Sequence, residues 1–216
     1  MRSWQTSLVG AALLISASAQ AVTFPFAGDP FAGSDALTTP GRQVVGGEPS
    51  IVFDAAADAF SFQGSVFESI GPFSFANGLI GDVPPAGTNV VVLRTFDNDA
   101  NLGTPFGAGN AANLIADRIT TSGPGLFVYF NSGLDLPRLV YSTDLSDNGA
   151  DLRILARMTN LGGLDGQQAL QQFSAADFTV VATPIPEPST LLLLGSGAAL
   201  LAFVRRGQGR HRRQPA

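Results

Sequence analysis

Two short runs of acidic and amide side chains have the residue types of a cation site. In the first run, Asp97, Asp99 and Asn101 place an oxygen ligand at every second position after an apolar stretch. A turning loop brings alternate side chains round one point, and calcium prefers such oxygen ligands. Leu102 and Ala108 stand where the calcium loop of an EF-hand has Gly and Glu, so the run is not an EF-hand. Two interpretations remain open: a calcium site, and a polar turn whose side chains bond their own backbone.

The second run contains Asp144, Asp147, Asn148 and Asp151. Asp147 and Asn148 are followed by Gly149, and Asn and Gly both tolerate the positive φ angles of a tight hairpin turn. We therefore expect a turn here, with an ion site as the alternative.

The missing residue types exclude most catalytic chemistry. The chain of 216 residues has no Cys, no Lys and one His, at position 211. Disulfides, zinc sites built on Cys or several His, Cys or Ser–His nucleophile pairs and lysine Schiff bases are excluded. A glycosidase needs only two carboxylates about 5–10 Å apart, but residues 22–183, called the body below, carry sixteen acids and none in a recognisable motif. We expect no enzymatic activity and no cofactor apart from the calcium considered above.

Ligand contacts in the body would come from few side chains. The body has no Trp, and its two Tyr are Tyr129, in an apolar strand, and Tyr141, which ends a strand. We expect Tyr129 in the core and regard Tyr141 as the one that could face a ligand. Arg138, Arg153 and Arg157 are expected on a solvated face, paired with nearby Asp; the alternative is contact with an anion or a polysaccharide.

The charge distribution argues against a nucleic acid partner. The body has six Arg against sixteen Asp and Glu, a net charge of −10, within a formal total of −5 for the chain. Phosphates need a concentrated basic surface, and five Arg instead lie within the last twelve positions.

The N-terminus has the features of a secretory signal peptide over residues 1–21. Arg2 is followed by an apolar core at 8–15 and by Ala19-Gln20-Ala21. Small residues at Ala19 and Ala21 are what a signal peptidase site requires. We expect cleavage after Ala21, so that the mature chain begins near Val22 outside the cytoplasm.

The C-terminus has three parts. Residues 184–190 form a proline-rich linker, residues 191–204 are apolar without a charge, and residues 205–216 form a basic tail. A fourteen-residue helix spans about 21 Å, less than the roughly 30 Å hydrocarbon core. The abrupt arginine cluster nevertheless marks a stop-transfer pattern. We therefore predict a single transmembrane helix at 191–204 and a cytoplasmic tail.

These C-terminal residues carry a family resemblance. The order of Pro186-Glu187-Pro188, a short apolar span and Arg205-Arg206 resembles the PEP-CTERM sorting signal of Gram-negative bacteria. The resemblance implies export, temporary anchoring in the inner membrane, and processing near Pro-Glu-Pro by an exosortase. It further implies a final place at the cell surface or in the extracellular matrix of bacteria that make exopolysaccharide and biofilm. It implies nothing about the chemistry of the body.

The body itself is predicted to be all-β. Short β-branched or aromatic runs bounded by Gly, Asn and Pro indicate strands. They are expected near 50–53, 58–63, 66–70, 73–76, 89–96, 113–120, 125–131, 137–142, 151–158 and 176–182. Phe pairs spaced i, i+2 would share one strand face. The one fair helix candidate in the body is 167–173, whereas residues 114–119 suit either a strand or a helix. Residues 27–49 and 97–112 are expected to be long loops.

Many short strands without a βαβ rhythm favour a single β-sandwich over residues 22–183, with a jelly roll as one form of it. Taken together, the sequence predicts an exported, transiently anchored, non-catalytic protein with a structural or adhesive role at the cell surface or in the exopolysaccharide matrix. The alternatives are a calcium- or carbohydrate-binding module and, less favoured, a matrix glycosidase.

Overall fold

Residues 20–181 are described in a computed structural model, and they fold into ten strands, three α-helices and three short 3-10 helices. The strands are β1 (Thr23–Ala27), β2 (Val44–Val45), β3 (Ser50–Ile51), β4 (Ala59–Gln63), β5 (Phe75–Gly78), β6 (Val90–Leu93), β7 (Gly125–Asn131), β8 (Leu136–Ser142), β9 (Leu152–Met158) and β10 (Phe178–Val181). The α-helices are α1 (Ser65–Glu68), α2 (Ala108–Arg118) and α3 (Gly163–Ala169), and the 3-10 helices are Ile80–Asp82, Leu170–Gln172 and Ala175–Asp177. Only 19% of the structure is helical, which confirms the predicted all-β class.

The strands form two sheets. In the small sheet, β4 lies between β1 and β10, and both neighbours run parallel to it. In the large sheet the order is β2-β9-β8-β7-β6-β5, with the short β3 also paired with β9. The ladders β7–β8 and β8–β9 are antiparallel, whereas the flanking strands pair in parallel.

This pairing contradicts the predicted jelly roll. A jelly roll consists of antiparallel Greek keys, but six of the eight ladders among the described strands are parallel. Parallel neighbours need a crossover connection, and α2 provides one between β6 and β7. The expectation of a fold without βαβ units is therefore wrong.

Phenylalanine fills the space between the two sheets. Alternate residues of a strand share a face, and Phe60 and Phe62 of β4 are both fully buried against the large sheet. Phe53 stacks on Phe60, with ring centroids 4.4 Å apart, and on Phe173, at 5.3 Å. Phe26 of β1 stacks on Phe62 at 5.6 Å. The i, i+2 pairs of the sequence thus mark the faces that meet in the core.

The opposite face of the large sheet is covered by α2. The prediction of a strand over 113–120 is wrong, because most of this stretch belongs to that helix. Its buried residues recur at the three- and four-residue spacing of a helix face: Ala108, Ala111, Ala112, Ile115 and Ala116. The strand expected at 66–70 is wrong as well, because α1 occupies residues 65–68.

The remaining predicted strands lie where the structure has β3 to β10, with shifts of a few residues at their ends. β1 and β2 were not predicted, and β2 lies inside the stretch expected to be a loop at 27–49. The helix expected at 167–173 is found as α3, four residues earlier, followed by a 3-10 helix.

The stacked phenylalanines generate the first prediction. Phe60→Ala should lower the free energy of unfolding by about 3–5 kcal/mol, because it removes a buried ring and leaves a cavity. Urea unfolding of the full chain in detergent measures this loss. Leu102→Ala is the control, since Leu102 is 83% exposed and should change stability by less than about 0.5 kcal/mol. Equal losses for the two variants would contradict the assignment of the core.

Candidate functional site

A cleft of about 340 Å³ opens where the small sheet meets the edge of the large one. Its walls come from the end of β1, the loop that follows it, residues 48–49, Phe67 of α1, and residues 153–155 of β9. The partly exposed Phe26 supplies apolar surface, and Asp29 and Arg153 supply charge of opposite sign. Such a mixed, concave surface can hold a ligand that is apolar on one side and charged on the other.

Arg153 is the basic group of this cleft. It is half-buried and lies directly across from Tyr141 in the β8–β9 ladder. Within residues 20–181 its guanidinium has no hydrogen-bond or ion-pair partner. An arginine presents five N–H donors in a fixed fork that fits carboxylates and phosphates. The cleft therefore offers an unused anion-binding group.

Tyr141 faces a second cavity, of about 390 Å³, on the other side of Asp29. Its ring is buried edge-on against Phe31 and Phe67, at centroid distances of 6.0 and 5.7 Å. Burial, with the nearby charge of Asp29, raises the pKa of Tyr141 to about 12. Its phenol therefore stays neutral and can act only as a hydrogen-bonding group.

A buried carboxylate lies next to the cleft. β2 and β3 both pair with β9, and the chain between them carries Glu48, whose side chain is 0% exposed. Its Oε1 accepts hydrogen bonds from Arg138 Nη2 and from Arg157 Nε, the latter at 2.6 Å. The other carboxylate oxygen, Oε2, is buried without a partner in the described part of the chain.

The two arginines of this cluster are neighbours in the sheet. Arg138 of β8 and Arg157 of β9 are cross-strand partners, and like charges in that position repel. The Glu48 carboxylate between them offsets this repulsion. Burial alone raises the pKa of Glu48, but the hydrogen bonds from Arg157 and Arg138 outweigh it and hold that pKa below its usual range. The cluster is thus ionised at neutral pH and carries a net charge of +1.

The predicted ion pairs of Arg138 and Arg157 are present, but their partner is not the nearby Asp that the sequence predicts. It is Glu48, which precedes Arg138 by 90 residues and Arg157 by 109. No short-range pattern signals a pairing over such a separation. The expectation for Tyr129 is confirmed: it is fully buried beside Arg138, and its hydroxyl accepts a hydrogen bond from Asn131 at 3.0 Å.

The first acidic run forms consecutive turns. Asp97, Asp99 and Asn101 each accept a hydrogen bond through Oδ1 from the backbone N–H two residues further on, at 3.0, 2.9 and 3.1 Å. This is the Asx arrangement of the alternative interpretation. In residues 20–181 no three His, Cys, Asp or Glu side chains are grouped so that they could hold a metal ion. The calcium site at these residues stays a prediction.

The carboxylates of the second acidic run accept hydrogen bonds from the backbone of loops. Asp151 accepts hydrogen bonds from the backbone N–H of Leu37 at 2.8 Å and of Gln43 at 2.6 Å, which ties the loop before β2 to β9. Burial raises the pKa of Asp144, but hydrogen bonds from Ser122, Ser146 and Gly123 outweigh it and leave the pKa below its usual range. Asp147 accepts from the N–H of Gly149, as expected for a turn.

The predicted processing sites lie mostly outside the described residues. Ala19 and the sorting residues Pro186, Glu187, Pro188, Arg205 and Arg206 fall there, as does the apolar segment 191–204. Ala21 is described and is exposed, without regular secondary structure. Over residues 20–181, no helix has the length and apolar character needed to span a membrane.

A comparison with known protein families matches residues 184–206 to the PEP-CTERM protein-sorting motif. The match covers the residues on which the sequence prediction was based, and confirms it. The motif implies an exported surface protein that is sorted by an exosortase. Comparisons with curated proteins and with solved structures found no match to the chain.

The Glu48 cluster generates the second prediction. Glu48→Gln should lower the free energy of unfolding by about 3–5 kcal/mol at pH 7, because it leaves two arginines without their buried counter-charge. Because the pKa of Glu48 is lower in the folded protein than in the unfolded chain, its ionisation adds to the free energy of unfolding above the unfolded pKa of about 4.3. This contribution is lost as the pH falls from that value through the lower pKa of the folded protein. Urea unfolding at a series of pH values should therefore show the free energies of unfolding of parent and Glu48→Gln converging in acid.

The control is Asp135→Asn, at an exposed carboxylate, whose free energy of unfolding should change with pH as that of the parent does. A difference between Glu48→Gln and the parent that stays constant with pH would refute the ion cluster.

Proposed function

Since the chain carries a PEP-CTERM sorting motif, we propose that it is made as a precursor with a signal peptide at 1–21 and a transient inner-membrane anchor at 191–204. An exosortase then processes it near Pro186-Glu187-Pro188, and the body remains at the cell surface or in the extracellular matrix. The motif match at residues 184–206 carries this proposal.

For the body, we propose a non-catalytic structural or adhesive role in the surface layer or exopolysaccharide matrix. The use of its carboxylates supports this role. The buried carboxylates all accept hydrogen bonds from arginines or backbone N–H groups of the body itself, and so stabilise its fold: Glu48, Asp58, Asp151 and Asp177. A glycosidase would need a pair of carboxylates free to act on a substrate.

The sorting step generates the third prediction. Alanine in place of Pro186, Glu187 and Pro188 should leave an unprocessed, membrane-retained precursor in a Gram-negative host that contains an exosortase. Immunoblots of membrane, surface and medium fractions measure the outcome. The control is Pro184→Ala, which leaves Pro-Glu-Pro intact and should be processed like the parent. Release of the triple variant at the parental rate would rule out exosortase processing.

A second candidate, a carbohydrate-binding module, is favoured by the unpaired Arg153 in the cleft. An acidic sugar matches this surface, because its carboxylate can accept hydrogen bonds from Arg153 while its ring packs on the partly exposed Phe26. Charge-assisted hydrogen bonds contribute about 1.5–3 kcal/mol, which is enough to decide between binding and no binding of a short oligosaccharide.

This candidate generates the fourth prediction. In calorimetric titrations of the full chain in detergent, an oligogalacturonate should bind at least about tenfold more tightly to the parent than to Arg153→Gln. A neutral glucose oligomer of the same length is the matched probe and should not distinguish the two proteins. Equal affinity of both proteins for the acidic oligomer would remove the cleft from consideration as an anion site.

A further inference from the structure

Asp58 is a buried carboxylate at the start of the small sheet. It is 7% exposed and immediately precedes β4. Its Oδ1 accepts a hydrogen bond from the backbone nitrogen of Val22 at 2.7 Å, and its Oδ2 accepts one from the backbone nitrogen of Asp54 at 2.9 Å. Two neutral N–H groups therefore hold this negative charge.

In residues 20–181, no basic side chain pairs with the Asp58 carboxylate. Arg138 and Arg157 are both engaged by Glu48. A buried ionised carboxylate is costly unless a positive charge lies close to it. The body has few candidates, because it contains six Arg, no Lys and no His.

The partner nitrogen belongs to the residue that follows the expected signal peptidase site. Cleavage after Ala21 would make Val22 the first residue of the mature chain. We propose that cleavage at the Ala21–Val22 bond turns the Val22 nitrogen into an α-ammonium group that forms an ion pair with the buried carboxylate of Asp58. This inference rests on export of the protein through its signal peptide and is independent of exosortase processing.

The chemistry needs only water as a co-reactant. Hydrolysis breaks the amide bond, adds the hydroxyl of water to the Ala21 carbonyl carbon and adds its hydrogen to the Val22 nitrogen. At neutral pH the new carboxyl group loses a proton and the new amine gains one. A neutral N–H donor in the precursor thereby becomes a charged donor in the mature protein, and the Asp58 carboxylate gains the positive partner that a buried charge needs.

The backbone around Val22 is already in place for this pair. The Val22 carbonyl oxygen accepts a hydrogen bond from the Ala59 nitrogen at 2.9 Å, and the next residue, Thr23, is the register partner of Ala59 in the β1–β4 ladder. The nitrogen is thus held between Asp58 and the first rung of the sheet. A start one residue earlier or later would move the ammonium by up to about 3.8 Å, out of hydrogen-bond range.

The absence of lysine provides a specific test. The mature chain has one primary amine, its N-terminus, so an amine-reactive acyl ester has a single target. Only the neutral amine reacts, and an ion pair with a carboxylate favours the charged form. In the exported protein purified from a Gram-negative host, N-terminal sequencing should find Val22 first. Acylation at neutral pH should be at least about tenfold slower than in Asp58→Asn, because the ion pair raises the pKa of the α-amino group.

Two controls keep the test decisive. A mature chain that retains Ala21 keeps Asp58 but displaces the ammonium, so it should react as fast as Asp58→Asn and melt a few degrees below the parent. Asp54→Asn should react at the parental rate, because the Asp54 carboxylate accepts from the Ala56 nitrogen and not from Val22. If Asp58→Asn does not fold, the comparison with the Ala21-retaining chain still decides.

Three results would overturn the proposal: a mature chain that starts elsewhere, equal acylation rates with and without Ala21, and equal melting temperatures for those two proteins. The sorting variant with Pro186-Glu187-Pro188 replaced should give the same acylation rate as the parent. Failure of exosortase processing is therefore distinguishable from failure of the ion pair.

Discussion

A shortage of cations is the constraint that shapes this protein. With six arginines against sixteen acids in the body, most carboxylates have no basic side chain to pair with. They accept hydrogen bonds from backbone N–H groups instead, as Asp29, Asp54 and Asp177 do with nitrogens two or three residues away. Residues far apart in the sequence are connected by the same kind of hydrogen bond: Asp151 accepts one from the backbone N–H of Leu37, 114 residues earlier. In an exported chain without cysteine, these carboxylates fix the loops that disulfides fix elsewhere.

Glu48 is paired with arginines instead, and its position explains why. The interruption between β2 and β3 brings it to the place where Arg138 and Arg157 face each other across the β8–β9 ladder. A sheet with Arg138 opposite Arg157 and no acid between them would be destabilised by repulsion. The edge of β9 therefore depends on this carboxylate. Arg153, on the opposite face of the same strand, has no partner in the part of the chain that the structure describes, and it faces the cleft.

The sequence predicted what depends on local patterns and failed where distant residues decide. Alternation and β-branched residues placed β7 at the residues where the structure has it. The apolar residues Leu114, Ile115 and Ile119 suit either a strand or a helix, and only packing against the large sheet distinguishes the two. In the helix, its alanines pack in one buried cluster with Val91 and Phe127.

The candidate site shows the same difference between contacts that local sequence encodes and contacts between distant residues. The Asx turns at Asp97 to Gly103 and the turn at Asp147 are encoded within a few residues, and the alternative interpretation of the first run described its hydrogen bonds correctly. The cleft, the Glu48 cluster and the contact of Val22 with Asp58 all join residues far apart in the sequence. None of them could be found before the parallel ladders were known.

Parallel pairing in the small sheet also determines where the chain enters and leaves that sheet. β1 and β10 flank β4 and run in its direction, so that Thr23 pairs with Ala59 and Val181 pairs with Gln63. Thr23 therefore lies at one end of β4 and Val181 lies at the other, about 13 Å away at 3.3 Å per residue. The contact between Val22 and Asp58 adjoins Thr23, so it lies at the end of β4 opposite to the one where β10 ends.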